Sequence, residues 1–104
     1  MELPQDGLLL VLKEDCETCR MIAPLAAELE QRGLLKATHS QDNPAFPSGM
    51  AVIDDSGLET SFGLDIETVP TLIRCEGGAE TGRVIGWHRG EWQKTATGSF
   101  ETRG

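Results

Sequence analysis

Positive charge is scarce in this sequence. Nine lysines and arginines stand against seventeen aspartates and glutamates, a net charge of −8 over 104 residues. Met1–Val52 holds four bases against eight acids and Ile53–Gly104 five against nine, so neither half is basic and there is no basic tail. A chain of this sign repels phosphate backbones, so nucleic acid is not an expected partner. It carries no polybasic membrane anchor either. Long apolar runs are also missing. The longest is Leu8–Leu12, against the roughly 20 residues of a spanning helix, so no membrane insertion is expected. Met1-Glu2-Leu3-Pro4 lacks the basic start and small-residue cleavage site of a signal peptide. The expectation is a cytoplasmic protein, with an exported domain of a longer chain as the alternative. Only three cysteines occur, and the odd count argues against a structural disulfide framework. The sequence has no internal repeat, low-complexity tract, G-x-G-x-x-G, phosphate loop or supportable Ser-His-Asp spacing.

What is present fits one small globular domain, with 38% hydrophobic and 25% charged residues. The domain is expected over residues 1–97, with a flexible polar tail over 98–104. Gly7–Lys13 is a continuous apolar run behind a turn-forming Asp6-Gly7, which suits a strand buried on both faces. From Glu17 to Arg32 the pattern is helical. Ile22, Leu25, Ala26 and Leu29 share one face, Glu28 and Arg32 are spaced as an i,i+4 pair, and Gly33 supplies the stop. Asp15 is the expected N-cap, and Pro24 is expected to kink the helix. Leu34–Ser40 reads as a second strand and Gln41–Gly49 as a loop. Ala51-Val52-Ile53 is a short apolar segment closed by Asp54-Asp55-Ser56-Gly57. Ser56 is expected to cap a short helix over Leu58–Phe62, ended by Gly63. Val69–Cys75 and Arg83–His88 read as a hairpin around Glu76-Gly77-Gly78, and Glu91–Thr97 as a closing helix. Strand, helix and strand in succession imply a parallel pair with a right-handed crossover.

Cys16-Glu17-Thr18-Cys19 carries the chemistry. A C-x-x-C pair can be a redox dithiol, half of a zinc site or a haem attachment. Haem attachment needs histidine after the second cysteine, where this chain has Arg20. A closed zinc site needs two more ligands, and Cys75, His39 and His88 are the remaining candidates. The pair sits where a buried strand meets a helix N-terminus, whose free N–H groups and dipole favour a thiolate. Cys16, at the mouth of the helix, is the expected exposed sulfur, and Cys19, one turn in, the shielded one. A thiolate at Cys16 can attack a disulfide, and Cys19 can then displace the reduced product. The acids Glu14, Asp15 and Glu17 repel a negative sulfur, whereas Lys13, Arg20 and the helix dipole attract one. Together with Thr18 these are the candidate tuning residues. Cys75 is expected in the core, Trp87 and Trp92 packed between hairpin and last helix, and His39 and His88 on the surface or satisfied. Asp54-Asp55 reads as a turn.

Cys16-Glu17-Thr18-Cys19-Arg20-Met21-Ile22-Ala23-Pro24 resembles the active-site helix of thioredoxins, including its internal proline. Thr68-Val69-Pro70-Thr71 resembles the family's cis-proline loop. Phe46–Thr71 is similar to the cytochrome-maturation and peroxiredoxin-related branch, and the resemblance runs from about Leu8 to Gly90. It implies an α/β, thioredoxin-like fold. The sheet would be central and mixed, with about four strands flanked by helices, and the N-terminal β-α unit would be reduced or absent. It also implies that the Val69 backbone pairs with substrate and that Pro70 is cis and keeps metal from the sulfurs. No metal and no cofactor is then expected beyond a redox-active Cys16–Cys19 disulfide. The implied partners are a protein or small-molecule disulfide or dithiol and an unidentified reductant or oxidant, acting on a monomer. Three departures stand out. Glu17-Thr18 replaces Gly-Pro, Asp15 stands where the family usually has tryptophan, and Leu10 lies where many members bury a carboxylate. The expected function is a thiol–disulfide oxidoreductase. A non-catalytic binding module of the same fold and a metal-binding protein using the C-x-x-C pair are the alternatives.

Overall fold

Leu8–Leu12 offers water nothing on either face, and the fold answers by making this segment the middle of a sheet. The computed structural model of the protein describes residues 3–97, and the tail expected over 98–104 lies outside them. In chain order the elements are β1 (Asp6–Leu12), α1 (Glu17–Gln31), β2 (Leu35–Ser40), β3 (Ile53–Asp54), α2 (Glu59–Gly63), β4 (Thr71–Glu76), β5 (Ala79–Ile85) and α3 (Arg89–Thr97). The sheet runs β3-β2-β1-β4-β5. β1, β2 and β3 are parallel, while β4 lies antiparallel to both β1 and β5.

Alternation along β1 builds two cores. Leu8, Leu10 and Leu12 pack with Cys19, Ile22, Ala26 and Leu29 of α1 and with Trp92 and Ala96 of α3. Leu9 and Val11 face the other way, onto Ile73 and Cys75 of β4, with Leu64 and Ile66 over them. Each fully buried leucine contributes roughly 1.5–3 kcal/mol relative to exposure, so this one strand anchors much of the stability. α1 and α3 therefore cover one face of the sheet, and the segment around α2 covers the other.

Among the described residues the sheet has five strands where about four were expected. The additional one is β3, whose two residues pair with His39 and Ser40 on the outer edge of β2. Asp55 extends the contact by donating its N–H to the Ser40 carbonyl at 2.7 Å. The β4–β5 hairpin turns on Gly77 and Gly78, both at positive φ (65° and 82°), as a two-residue turn requires.

The helix ends show where local signals mislead. The N-cap of α1 is Cys16, not Asp15. Cys16 is extended (φ −160°, ψ 113°) and its sulfur accepts the Cys19 N–H, while the Asp15 N–H is held outside the helix by Asp42. α1 runs through Pro24 without a break and stops as expected. Gly33 is left-handed at φ 76°, and the bonds Leu34 N–H to Leu29 O and Gly33 N–H to Glu30 O complete a Schellman motif. Arg32 lies 3.6 Å from Glu28 on the exposed face, a pair worth only a few tenths of a kcal/mol. Ser56 does not cap α2. The buried Asp55 carboxylate does, accepting the N–H groups of Thr60 and Ser61 and the Ser61 hydroxyl. Gly63 is the last residue of α2, as expected, and Asp65, two residues on, adopts the left-handed conformation (φ 57°). α3 begins two residues before Glu91, at Arg89. No helix among the described residues is long and apolar enough to cross a membrane.

His39 corrects another expectation. It is buried, and its Nδ1 has no hydrogen-bond partner among the described residues. Burial holds the imidazole below its ordinary value of 6.5, and the nearby Asp55 charge opposes that shift without cancelling it. The folded state thus resists a proton that the unfolded chain accepts. The stability linked to this group is complete above the unfolded value and is lost as pH falls through the folded one. Urea midpoints for wild type and His39→Gln, measured from about pH 7.5 down to about 5.5, should show wild type losing ground to the variant. Parallel curves would contradict this reading.

Candidate active site

The site forms where β1 ends. Because β1 and β2 are parallel and Leu12 pairs with Ser40, the segments leaving both strands emerge side by side. Lys13 to Cys16 follow β1, Gln41 to Asn43 follow β2, and Val69-Pro70 lead into β4 on the other side of β1.

Cys16 is half-buried and Cys19 fully buried, both as free thiols. The Cys16 sulfur accepts the Cys19 N–H at 3.1 Å and lies 3.8 Å from the Val69 carbonyl, toward which its S–H is directed. Val69 is half-buried and Pro70 buried. The Val69–Pro70 peptide is cis, and so is Phe46–Pro47. Gly86 donates its N–H to the Pro70 carbonyl at 2.7 Å, and the Trp92 indole donates to the Gly86 carbonyl at 2.9 Å. Trp87 meets Trp92 edge-on, with ring centroids 5.1 Å apart. The proline loop is thereby tied to the start of α3.

The two sulfurs have different surroundings. Burial pushes the Cys19 thiol up to about 12, and its hydrogen bond to Cys16 adds to the shift. The Lys13 backbone and charge pull the other way without offsetting it. Leu10 lies in the same apolar cluster as Cys19, so the floor beneath the inner sulfur is hydrocarbon. Cys16 packs half-buried against the edge of the same cluster, beside a polar rim. Glu14, Asp15, Glu17 and Arg20 are exposed there, and Lys13 and Thr18 are half-buried. The Arg20 guanidinium is engaged with the backbone, donating to the Glu14 carbonyl at 2.6 Å.

Cys75 does not join the pair. It is buried on the opposite face of the sheet, with Leu9, Val11 and Ile73. Burial, followed by the Glu80 charge, pushes its thiol up. No group of three or more His, Cys, Asp or Glu among the described residues is arranged to hold a metal ion. Asp42 and Asn43 are at the site but were missed in the sequence. Asp42 accepts the N–H groups of Glu14 and Asp15, and Asn43 donates to the Glu14 carboxylate. The parallel pairing of β1 with β2 is the one sequence-level clue that places residues just beyond β2 beside the cysteine turn.

This is a thioredoxin-like fold, with a C-x-x-C dithiol at the point where the central strand gives way to the first helix. Solved structures bear the fold out. StoA from Bacillus subtilis superposes with a TM-score of 0.70 at 20% identity, over 89% of this chain and 82% of that one. Thioredoxin f from spinach chloroplast gives 0.67 at 18% identity, over 89% and 76%. Schistosoma mansoni thioredoxin gives 0.64 at 21% identity, over 91% and 79%. No family model and no curated protein sequence matches the chain.

The asymmetry between the sulfurs is directly measurable. Iodoacetamide at about pH 7.5 should label Cys16 at least about tenfold faster than Cys19 or Cys75, since the thiolate is the reactive form. Fragmentation mass spectrometry of the digested protein locates the label. Equal labelling of Cys16 and Cys19 would contradict the assignment.

Proposed function

We propose that the protein is a thiol–disulfide oxidoreductase that reduces or exchanges disulfides through Cys16 and Cys19. The observation that carries the reading is the placement of the Cys16 sulfur. It stands at a helix N-terminus, takes the Cys19 N–H and points at the Val69 carbonyl. Structures with the same fold that include thioredoxins support the same class of chemistry.

The reaction runs in two exchanges. The Cys16 thiolate attacks one sulfur of a substrate disulfide. A Cys16–substrate bond forms as the substrate bond breaks, and the departing sulfur leaves with the electron pair and takes a proton from water. The Cys19 thiol then gives its proton to water and attacks the Cys16 sulfur. An intramolecular disulfide forms as the Cys16–substrate bond breaks, and the second substrate sulfur leaves with the electron pair and takes a proton from water. The substrate gains two electrons and the protein's dithiol loses them, so turnover needs an external reductant. No other cofactor is required. The spacing suits this closure, because two residues on one helical turn keep both sulfurs within bonding reach. In this reading Val69 receives the substrate backbone beside Pro70. The substrate is a protein or small-molecule disulfide met by a single copy of the chain in the cytoplasm.

Dithiothreitol-driven reduction of insulin tests the proposal. Wild type should accelerate the reaction, and Cys16→Ser should return the rate to the uncatalysed background. Cys19→Ser should stall after one exchange. Equal rates for wild type and Cys16→Ser would remove the enzyme reading and favour a non-catalytic docking domain.

A further inference from the structure

The turn ahead of Cys16 is held by a side chain from a different strand. Asp42 lies just beyond β2, and both of its carboxylate oxygens are engaged. Oδ1 accepts the N–H of Glu14 at 2.8 Å, the N–H of Asn43 at 2.6 Å and the Ser40 hydroxyl at 3.3 Å. Oδ2 accepts the N–H of Asp15 at 2.9 Å. Desolvation raises the carboxyl, but these donors prevail and hold it below the usual carboxylate range. The Glu14 carbonyl is fixed at the same time, by the Cys16 N–H at 2.7 Å and the Arg20 guanidinium at 2.6 Å. Asn43 donates to the Glu14 carboxylate at 3.0 Å. The N–H groups of Glu14 and Asp15 fall between β1 and α1, so a side chain satisfies them instead of a regular element.

We propose that Asp42 is the positioning residue for the Cys16 sulfur, holding the backbone that carries it in line for attack. The inference rests on the reading of Cys16 as the attacking thiol. Asp42 fixes the chain on the N-terminal side of Cys16, and the Cys19 N–H fixes the sulfur from the helix side. Attack on a docked disulfide requires the incoming sulfur to be aligned with the bond that breaks, and a displacement of about 1 Å can cost on the order of 100-fold. The negative charge of Asp42 acts in the opposite sense, because it repels a negative sulfur. Position and charge therefore have separable signatures.

The test compares wild type, Asp42→Ala and Asp42→Asn. Asparagine removes the charge but keeps one acceptor oxygen. Two reagents are used. Iodoacetamide needs no docking. A peptide thiol blocked as its thionitrobenzoate mixed disulfide must lie along the site. In the second reaction the Cys16 sulfur bonds to the peptide sulfur, the mixed disulfide breaks, and thionitrobenzoate leaves with the electron pair. Rates are followed with rising pH to the plateau at which Cys16 is fully ionised. The expected result for Asp42→Ala is a plateau with the peptide disulfide about tenfold lower than wild type, with a smaller fall in Asp42→Asn. The iodoacetamide plateau should stay within about twofold of wild type in both. Equal peptide-disulfide plateaus in wild type and Asp42→Ala would overturn the proposal. So would a parallel fall with both reagents in both variants, which is what a general loss of structure produces. If wild type releases thionitrobenzoate no faster than Cys16→Ser, the functional reading fails and this inference fails with it.

Discussion

Burial of β1 on both faces and pairing along both edges is the constraint on which the other elements depend. Leu8, Leu10 and Leu12 need α1 and α3 on one side, and Leu9 and Val11 need the α2 segment on the other. The edges need β2 and β4. In this chain Leu8–Leu12 is apolar throughout, so polar side chains begin where the strand ends, at Lys13. The parallel pairing with β2 then brings a second chain exit to the same place, and the antiparallel β4 brings Val69-Pro70 there as well. Three segments far apart in sequence meet because one strand is fully enclosed.

The same geometry gives the two sulfurs different surroundings. Cys16 is the N-cap of α1, and its sulfur accepts the Cys19 N–H. Cys19 lies one turn further and shares an apolar cluster with Leu10, Leu12 and Ile22, so its thiol holds its proton strongly. In the proposed reaction Cys16 attacks first, and Cys19 acts only after it has given up that proton. The protein's acidity enters at the rim, where Glu14, Asp15 and Glu17 are exposed on the chain flanking Cys16. Backbone bonds from Asp42 and Arg20 hold that acidic turn in place.

Much of this was legible because its signals are local. The run Leu8–Leu12 and the spacing of Ile22, Ala26 and Leu29 describe buried faces that depend only on period. Gly33 at the end of α1 and Gly77-Gly78 in the hairpin mark conformations that other residues rarely adopt. The rest depends on distant partners. β3 is two exposed residues long and exists because the outer edge of β2 is free, which no pattern in Ile53-Asp54 reveals. Asp15 has the better side chain for a helix cap, yet Asp42 holds its N–H and the cap passes to a cysteine. Ser56 and Asp55 are adjacent and both suited to capping, and burial decides for Asp55. His39 looks like an ordinary polar strand residue, but it sits beside a cleft with Asp6, Lys36 and Ile53 and only the assembled sheet buries it.

The central claim is that Cys16 attacks and Cys19 resolves, and one measurement reaches it most directly. Cys19→Ser and wild type are each mixed with a peptide disulfide, and the intact mass is followed with time, with fragmentation to locate any adduct. In the variant a peptide should become bound through Cys16 and persist. In wild type the same adduct should be transient and give way to a Cys16–Cys19 disulfide. No adduct on Cys16 in the variant, or an equally persistent adduct in wild type, would contradict it.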